Sequence, residues 1–567
     1  MYSKTYLSLA LASTLALTSC SKLGELSADN FTVTPSPLEE NAGKVGVTIN
    51  GRFPEKYMKK KAVVTVIPEL RYGQGSAAKG QAATFQGEKV QGNDQEISYK
   101  LGGNYTMRNT FTYVPEMAQS ELYLTFDARI GNKTMKVPAV KVADGVLATS
   151  TLLGRTVSSV STATGEDKYQ YAIAQSKQGQ IKYLINQANI RTSELKSVSV
   201  KEFIKTLQQI KADSKGYELD GIEISAYASP DGRLDFNTRL AENREKTSGR
   251  FVAEQLKKAG LKAEVTSGYT AEDWDGFQEL VSASNIQDKQ VILSVLSKFQ
   301  DPEEREKQIR NLSAAFTELA DAILPELRRA RMIINYNIIG RTDDEIQAQY
   351  KSDASKLSVE ELLYAATLTD NDAEKKAIYA KAASLYPNDY RAHNNLAQME
   401  LQGGNYAAAT SLLQTALQKN AGSAEANANM AIIALQQGKA EAAETLLGKA
   451  TEAANYNEVL GNINIAKGNY AAAAQQLAGV KSNSAALAQI LAKNYEAANQ
   501  TLAAIANPDA TTSYLKAIVA ARTNQQAAAL AALKDATAKD ASLKARAATD
   551  LEFAGYFNNS TFKSLVK

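Results

Sequence analysis

The feature that most constrains this chain is a period of 34 residues in its C-terminal third. Ala382, Ala416 and Ala450 are spaced by 34, as are Ala397 and Ala431, Ala409 and Ala443, Leu413 and Leu447, and Gly404 and Gly438. From about Lys356 onward the composition shifts to Ala, Gln, Asn and Leu. Small residues at a fixed phase suit helix pairs that cross closely, because larger ones would force the axes apart. A unit of this size cannot bury its apolar face alone, so the units must stack. The spacing predicts an all-α solenoid over residues 356–567. The period then degenerates: KGNYAAAAQQL, from Lys467 to Leu477, recurs 25 residues later as AKNYEAANQTL, from Ala492 to Leu502. Phe553, Tyr556, Phe557 and Phe562 are placed to close the last open face.

A helix–turn–helix period of 34 residues resembles the tetratricopeptide repeat. The resemblance implies a right-handed stack of helix pairs whose concave face binds a protein segment. The partners expected from it are outer-membrane or periplasmic proteins.

The opposite end of the chain reads as an export signal. Lys4 precedes an apolar stretch, LSLALASTLALT, and then Leu17-Thr18-Ser19-Cys20. The stretch is too short for a permanent span. Leu-Thr-Ser-Cys resembles the bacterial lipobox, and Cys20 is the only cysteine in the chain. The resemblance implies removal of residues 1–19, acylation of Cys20 and a lipid anchor in the outer membrane. More than one acyl chain gives stable anchoring, at about 0.8 kcal/mol per buried methylene. Few acids follow Cys20, which favours the periplasmic face.

Residues 20–44, rich in Ser, Pro, Asn and Glu, are expected to form an acylated tether. Alternation then dominates residues 45–155, in runs such as AVVTVIPELRY and ELYLTFDARI separated by Gly, Asn and Pro. That pattern predicts an antiparallel β-sandwich. The run from Thr156 to Asp167 (TVSSVSTATGED) is polar and aperiodic, and reads as a linker.

The central region is organised around residues 221–256. Ile222 and Ile224 alternate with Glu223 and Ser225 as a half-buried strand, Ser229-Pro230-Asp231-Gly232 turns the chain, and an amphipathic helix follows. Asn237 and Arg244 lie two helical turns apart and can share a face with Asp231 nearby. A guanidinium fork there suits a planar carboxylate. The run from Asn237 to Glu245, with IKYLINQANIRTSEL upstream and Leu327-Arg328-Arg329-Ala330 downstream, resembles the OmpA-like peptidoglycan-associated domain. The combination of ASPDG, EDWDG and LRRAR looks like the variant common in Bacteroidetes envelope lipoproteins. The resemblance implies a βαβαββ fold over residues 169–341, with an insertion at 271–325. It also implies a peptidoglycan stem-peptide site. Asn237 and Arg244 would contact a carboxylate there, Arg329 would add a second positive charge, and Asp231 would face the amine. The chain departs from the family at Ser229, where the family's acid usually stands.

The fold class expected is therefore multidomain: an all-β sandwich, an α+β domain with a helical insertion, and an all-α solenoid. Net charge is +3, without a basic cluster suited to nucleic acid. His393 is the only histidine and falls in a repeat helix, where it is expected as a packing or concave-face residue rather than as the base of a Ser–His–Asp or Cys–His arrangement. No metal-ligand spacing occurs, and no cofactor is implied. The leading expectation is a non-enzymatic lipoprotein that links the outer membrane to peptidoglycan. The alternative is a scaffold subunit of an assembly or secretion machine whose OmpA-like domain no longer binds peptidoglycan. An exported enzyme ranks last.

Overall fold

The alternation read from residue 45 onward builds two sheets around one core. In the computed structural model, which describes residues 23–286 and 288–567, the strand Ala62–Tyr72 buries Ala62, Val64, Val66 and Leu70. The strand Lys44–Phe53 buries Val45, Val47, Ile49 and Phe53. One sheet runs Phe31–Thr34, Lys44–Phe53, Leu38–Asn41, Val146–Leu147, with Gly103–Thr112 also paired to Lys44–Phe53. The other is centred on Ala62–Tyr72 and Ser120–Ile130, which pair antiparallel over their full lengths. Phe53, Phe85 and Tyr105 fill the space between the sheets, with ring centroids 4.4–5.2 Å apart. The expected tether is corrected here. Phe31–Thr34 and Leu38–Asn41 are strands of the first sheet, so the sheet domain begins well before residue 45. Their apolar residues (Phe31, Val33, Leu38) alternate with polar ones in runs too short to stand out among Ser and Pro. Cys20 and the expected signal lie outside the described residues.

The C-terminal region is a stack of helix pairs. Tyr390–Gln402 pairs with Tyr406–Lys419, Ala424–Gln436 with Ala440–Leu447, and Tyr456–Ala466 with Tyr470–Gln476. Asn483–Leu491 with Tyr495–Ala503 and Ala510–Arg522 with Gln526–Lys539 continue it. The in-phase residues hold the crossings: Ala382, Ala397, Ala409, Ala416, Ala431, Ala443 and Ala450 have no exposed surface. Gly404 and Gly438 end the first helix of their pairs at φ 74° and 72°, a region glycine enters without strain. Phe553 and Phe562 are buried at the far end, where Phe553 meets Tyr514 edge-on at 5.6 Å.

The chain divides into two compact units. Residues through Glu166 together with Asp370–Lys567 form one, and Asp167–Thr369 forms the other. The repeats therefore start later than residue 356. Asp343–Asp353 and Val359–Ala365 belong to the second unit, and the solenoid opens with Asp372–Leu385.

In the second unit the elements run strand Ala172–Lys182, helix Val198–Ala212, strand Tyr217–Tyr227, helix Leu234–Ala259, strand Glu264–Thr270, then five short helices and strand Arg329–Ile339. The β-strand succession expected, βαβαββ, is present, with helices occupying 274–327. The final strand inserts between the first two, antiparallel to both, and Tyr217–Tyr227 pairs in parallel with Glu264–Thr270. Ile222, Ile224, Met332 and Ile334 pack against Phe203, Leu207, Phe251 and Val252 of the two long helices. The inserted helices carry a core of their own around Phe277, Val281, Ile292 and Leu324.

Candidate functional site

The segment read as a linker is bound along residues 156–166 by the repeats. Residues 148–166 run along the face formed by the first helix of each pair, here called the inner face. The path begins at the C-terminal end of the stack. There the Arg546 guanidinium donates to the Ala148 carbonyl at 3.0 Å, and Thr149 and Arg522 both bond Glu552. Leu152 is fully buried among Ile465, Leu487 and Leu515. Arg155 bonds Asp540 and Ser542, each at 2.7 Å, and Ser484 donates to the Thr156 carbonyl at 3.0 Å. Val157, Val160 and Ala163 then sink among Ala428, Ile432, Leu435, Val459 and Ile463.

Toward Glu166 the grip changes character, because asparagine side chains take hold of the segment's backbone. Asn429 accepts from the Ala163 N–H at 2.8 Å and donates to the Ala163 carbonyl at 2.7 Å. Two residues on, Asn395 accepts from the Gly165 N–H at 2.7 Å and donates to its carbonyl at 2.9 Å. Asn394 adds a second donor to the Ala163 carbonyl at 3.1 Å, and Asn455 reaches the Ser161 carbonyl at 2.6 Å. Asn395 and Asn429 stand one repeat apart, so the 34-residue period places an amide clamp at alternate residues of an extended chain. A primary amide offers one donor and one acceptor side by side, as a neighbouring strand does. The contact therefore reads backbone shape and excludes water from two buried peptide groups, which would be costly to leave unpaired.

In the second unit the expected site residues gather around the Ser229–Gly232 turn, but in other roles. Asn237 is buried and donates to the carbonyls of Ser229 (3.1 Å) and Gly232 (3.0 Å), which fixes the turn. Arg244 has no exposed surface. Its guanidinium donates to the carbonyls of Gln187 (3.0 Å), Tyr227 (2.8 Å) and Leu184 (3.2 Å), and it lies 5.1 Å from the Tyr183 ring. Burial pulls its pKa down to about 10, so it stays cationic at neutral pH. Asp231 pairs with Arg328 at 3.0 Å and accepts from the Ser229 hydroxyl, and its carbonyl accepts from Arg310 at 2.7 Å.

Three expected roles are corrected by this geometry. Asn237 and Arg244 are buried with their donors on backbone carbonyls rather than on a ligand carboxylate. Arg329 supplies no free positive charge, because Asp273 neutralises it at 3.0 Å with both side chains buried. Asp231 is paired with the Arg328 guanidinium and keeps part of its carboxylate exposed. In the sequence Arg328 stands out only within the final-strand signature, and its alternation with Arg329 across the strand start is the signal that separates the two. Among the described residues no cluster of three or more His, Cys, Asp or Glu side chains could hold a metal ion. No described helix is long and apolar enough to cross a membrane.

A tetratricopeptide-repeat family model matches residues 400–459. No curated protein matches the chain. Solved structures similar to it include a tetratricopeptide repeat protein from Parabacteroides merdae, at 16% identity and TM-score 0.28, covering 40% of this chain and 89% of that one. Pseudomonas aeruginosa PilF shares 18% identity at TM-score 0.26, over 38% of this chain and 98% of its own. Yeast Tom70 shares 13% identity at TM-score 0.24, over 65% and 85% respectively. These overlaps are too loose to carry argument. The repeat assignment rests on the family match and on the helix pairs themselves, and tetratricopeptide repeats point to protein–protein interaction.

Proposed function

We propose that this chain is a non-enzymatic scaffold lipoprotein of the outer membrane, held at its periplasmic face by an acylated Cys20. The observation that carries the scaffold reading is the paired-amide grip of Asn395 and Asn429 on an extended protein segment. It is a protein-recognition surface in use. The lipid anchor rests on the Leu-Thr-Ser-Cys run after a short apolar stretch. The βαβαββ order and the Asn237–Arg244 spacing support reading the second unit as an OmpA-like domain.

The test is fractionation with in-cell crosslinking. The wild-type protein should sediment with outer membranes and crosslink, through residues of the repeat domain, to other envelope proteins. Cys20→Ala should leave the membrane fraction. Retention of that variant, or a wild type with no protein crosslinks, contradicts the proposal.

One observation favours a second reading, a tether to peptidoglycan. Arg328 pairs with Asp231 at 3.0 Å, and both side chains keep part of their surface exposed beside the turn. A stem-peptide end bearing an amine and a carboxylate on one carbon complements an Asp–Arg pair. Its amine would meet Asp231, its carboxylate Arg328, and Arg244 would brace the turn from beneath.

A further inference from the structure

The segment on the inner face is held very differently at its two ends. Residues 148–157 are fixed by charged groups and deep apolar burial: Arg155 on Asp540, Thr149 and Arg522 on Glu552, and Leu152 and Val157 with no exposed surface. Residues 161–166 are held chiefly through their backbone. Only Ala163 and Gly165 point inward; Ser161, Thr164 and Glu166 are exposed. The grip there consists of neutral amides on the backbone of Ser161, Ala163 and Gly165, neutral side-chain bonds of Thr162 with Gln402 and Thr164 with Gln398, and one charged donor, Arg391, on the Glu166 carbonyl at 3.3 Å. Neutral hydrogen bonds contribute about 0.5–1.5 kcal/mol each, less than bonds to charged groups. The segment is a strap riveted at one end and laced at the other.

We infer that residues 158–166 are an exchangeable occupant of the inner face of the first three helix pairs, which receives in their place an extended partner peptide with small residues at alternate positions. The inference rests on the scaffold reading of the repeats and names the chemistry of their partner. The seated segment itself defines the ligand. Asn395 and Asn429 recognise backbone only, so sequence selection comes from what fits beneath. A Cβ on Gly165 would stand 3.2 Å from the Arg391 Cβ and Cγ and 3.3 Å from the Asn395 Oδ1, which disfavours anything larger than glycine. Ala163 is almost fully buried, so only a small residue fits two positions earlier. Val160 marks an apolar seat three residues before that. A partner peptide of the form apolar-x-x-small-x-Gly meets all three requirements. In the resting chain it competes with the strap, and its apparent affinity falls by the fraction of molecules in which the strap is released.

The probe is a fluorescein-labelled peptide of residues 158–166, titrated by anisotropy against the full chain. Gly165→Leu should weaken the strap's seat without touching the face, and the chain should then bind the probe about tenfold or more tightly than wild type. Adding Asn395→Ala and Asn429→Ala to Gly165→Leu should abolish that gain. Val160→Ser serves as an independent opening variant if Gly165→Leu fails to keep its helical circular dichroism. Equal probe affinity in wild type and in an opened, folded variant overturns the inference, as does a gain that survives loss of both asparagines. Failure of the scaffold reading shows elsewhere, as a wild type without protein crosslinks in the envelope, and leaves this competition unaffected.

Discussion

At the scale of single residues, the peptidoglycan reading depends on separating the group that meets the ligand from the group that holds the turn. Arg244→Ala is the wrong probe. It removes the Arg244 donors from the carbonyls of Leu184, Gln187 and Tyr227 and opens a cavity under the turn, at about 1–3 kcal/mol for each carbonyl left unsatisfied. Arg328 and Asp231 are the informative pair, since each keeps some exposure at the surface. If a stem peptide binds there, wild-type protein should co-sediment with purified sacculi. Arg328→Ala and Asp231→Ala should each weaken that binding about 10- to 150-fold, the worth of a charge-assisted bond. Wild type remaining in the supernatant removes the tether and leaves the scaffold. Arg244 stood out in the sequence because it lies seven residues from Asn237 on one helix face. Its partners did not, because the carbonyls of Leu184 and Gln187 come from a loop nearly 60 residues upstream. The main chain carries no residue-specific signal.

At the scale of elements, the helix pairs were legible and the strap was not. Six matches at one period fixed which residues cross, since a helix pair is a local structure whose packing repeats with the chain. Ala416 has no exposed surface. Ala416→Trp should therefore overpack its crossing and lower stability by about 1–3 kcal/mol, read as a shift in the urea midpoint of the helical signal. An unchanged midpoint would contradict the register. The strap, by contrast, looks like a linker because its ligands are remote. The asparagines that hold Ala163 and Gly165 lie 230–266 residues away. A trace was present in the apolar spacing of Val157, Val160 and Ala163, and in Asn395 and Asn429 one repeat apart. Neither pattern alone distinguishes a docked segment from a solvated one. The early strands Phe31–Thr34 and Leu38–Asn41 were missed for a related reason: four residues give too few alternations to rise above their Pro- and Ser-rich surroundings.

At the scale of the whole molecule, length and composition suggest a row of domains joined by linkers, whereas the contacts make two units. The β-rich region and the repeats share one of them, although some 200 residues separate them in sequence. The strap accounts for this joining: it leaves the sheet domain at Val146–Leu147 and immediately becomes part of the repeat core at Leu152. The repeats grip this chain's own segment through Asn395 and Asn429. Hydrogen exchange of the full-length protein, followed by mass spectrometry on the peptides covering residues 157–166, tests that grip most directly. The amides of Ala163 and Gly165 should be protected in wild type. They should exchange about tenfold faster or more once Asn395 and Asn429 are alanine, the loss of about 1.4 kcal/mol or more of local protection, while residues 148–157 stay protected. Exchange across 157–166 at the rate of a free peptide in the wild-type protein would contradict the account.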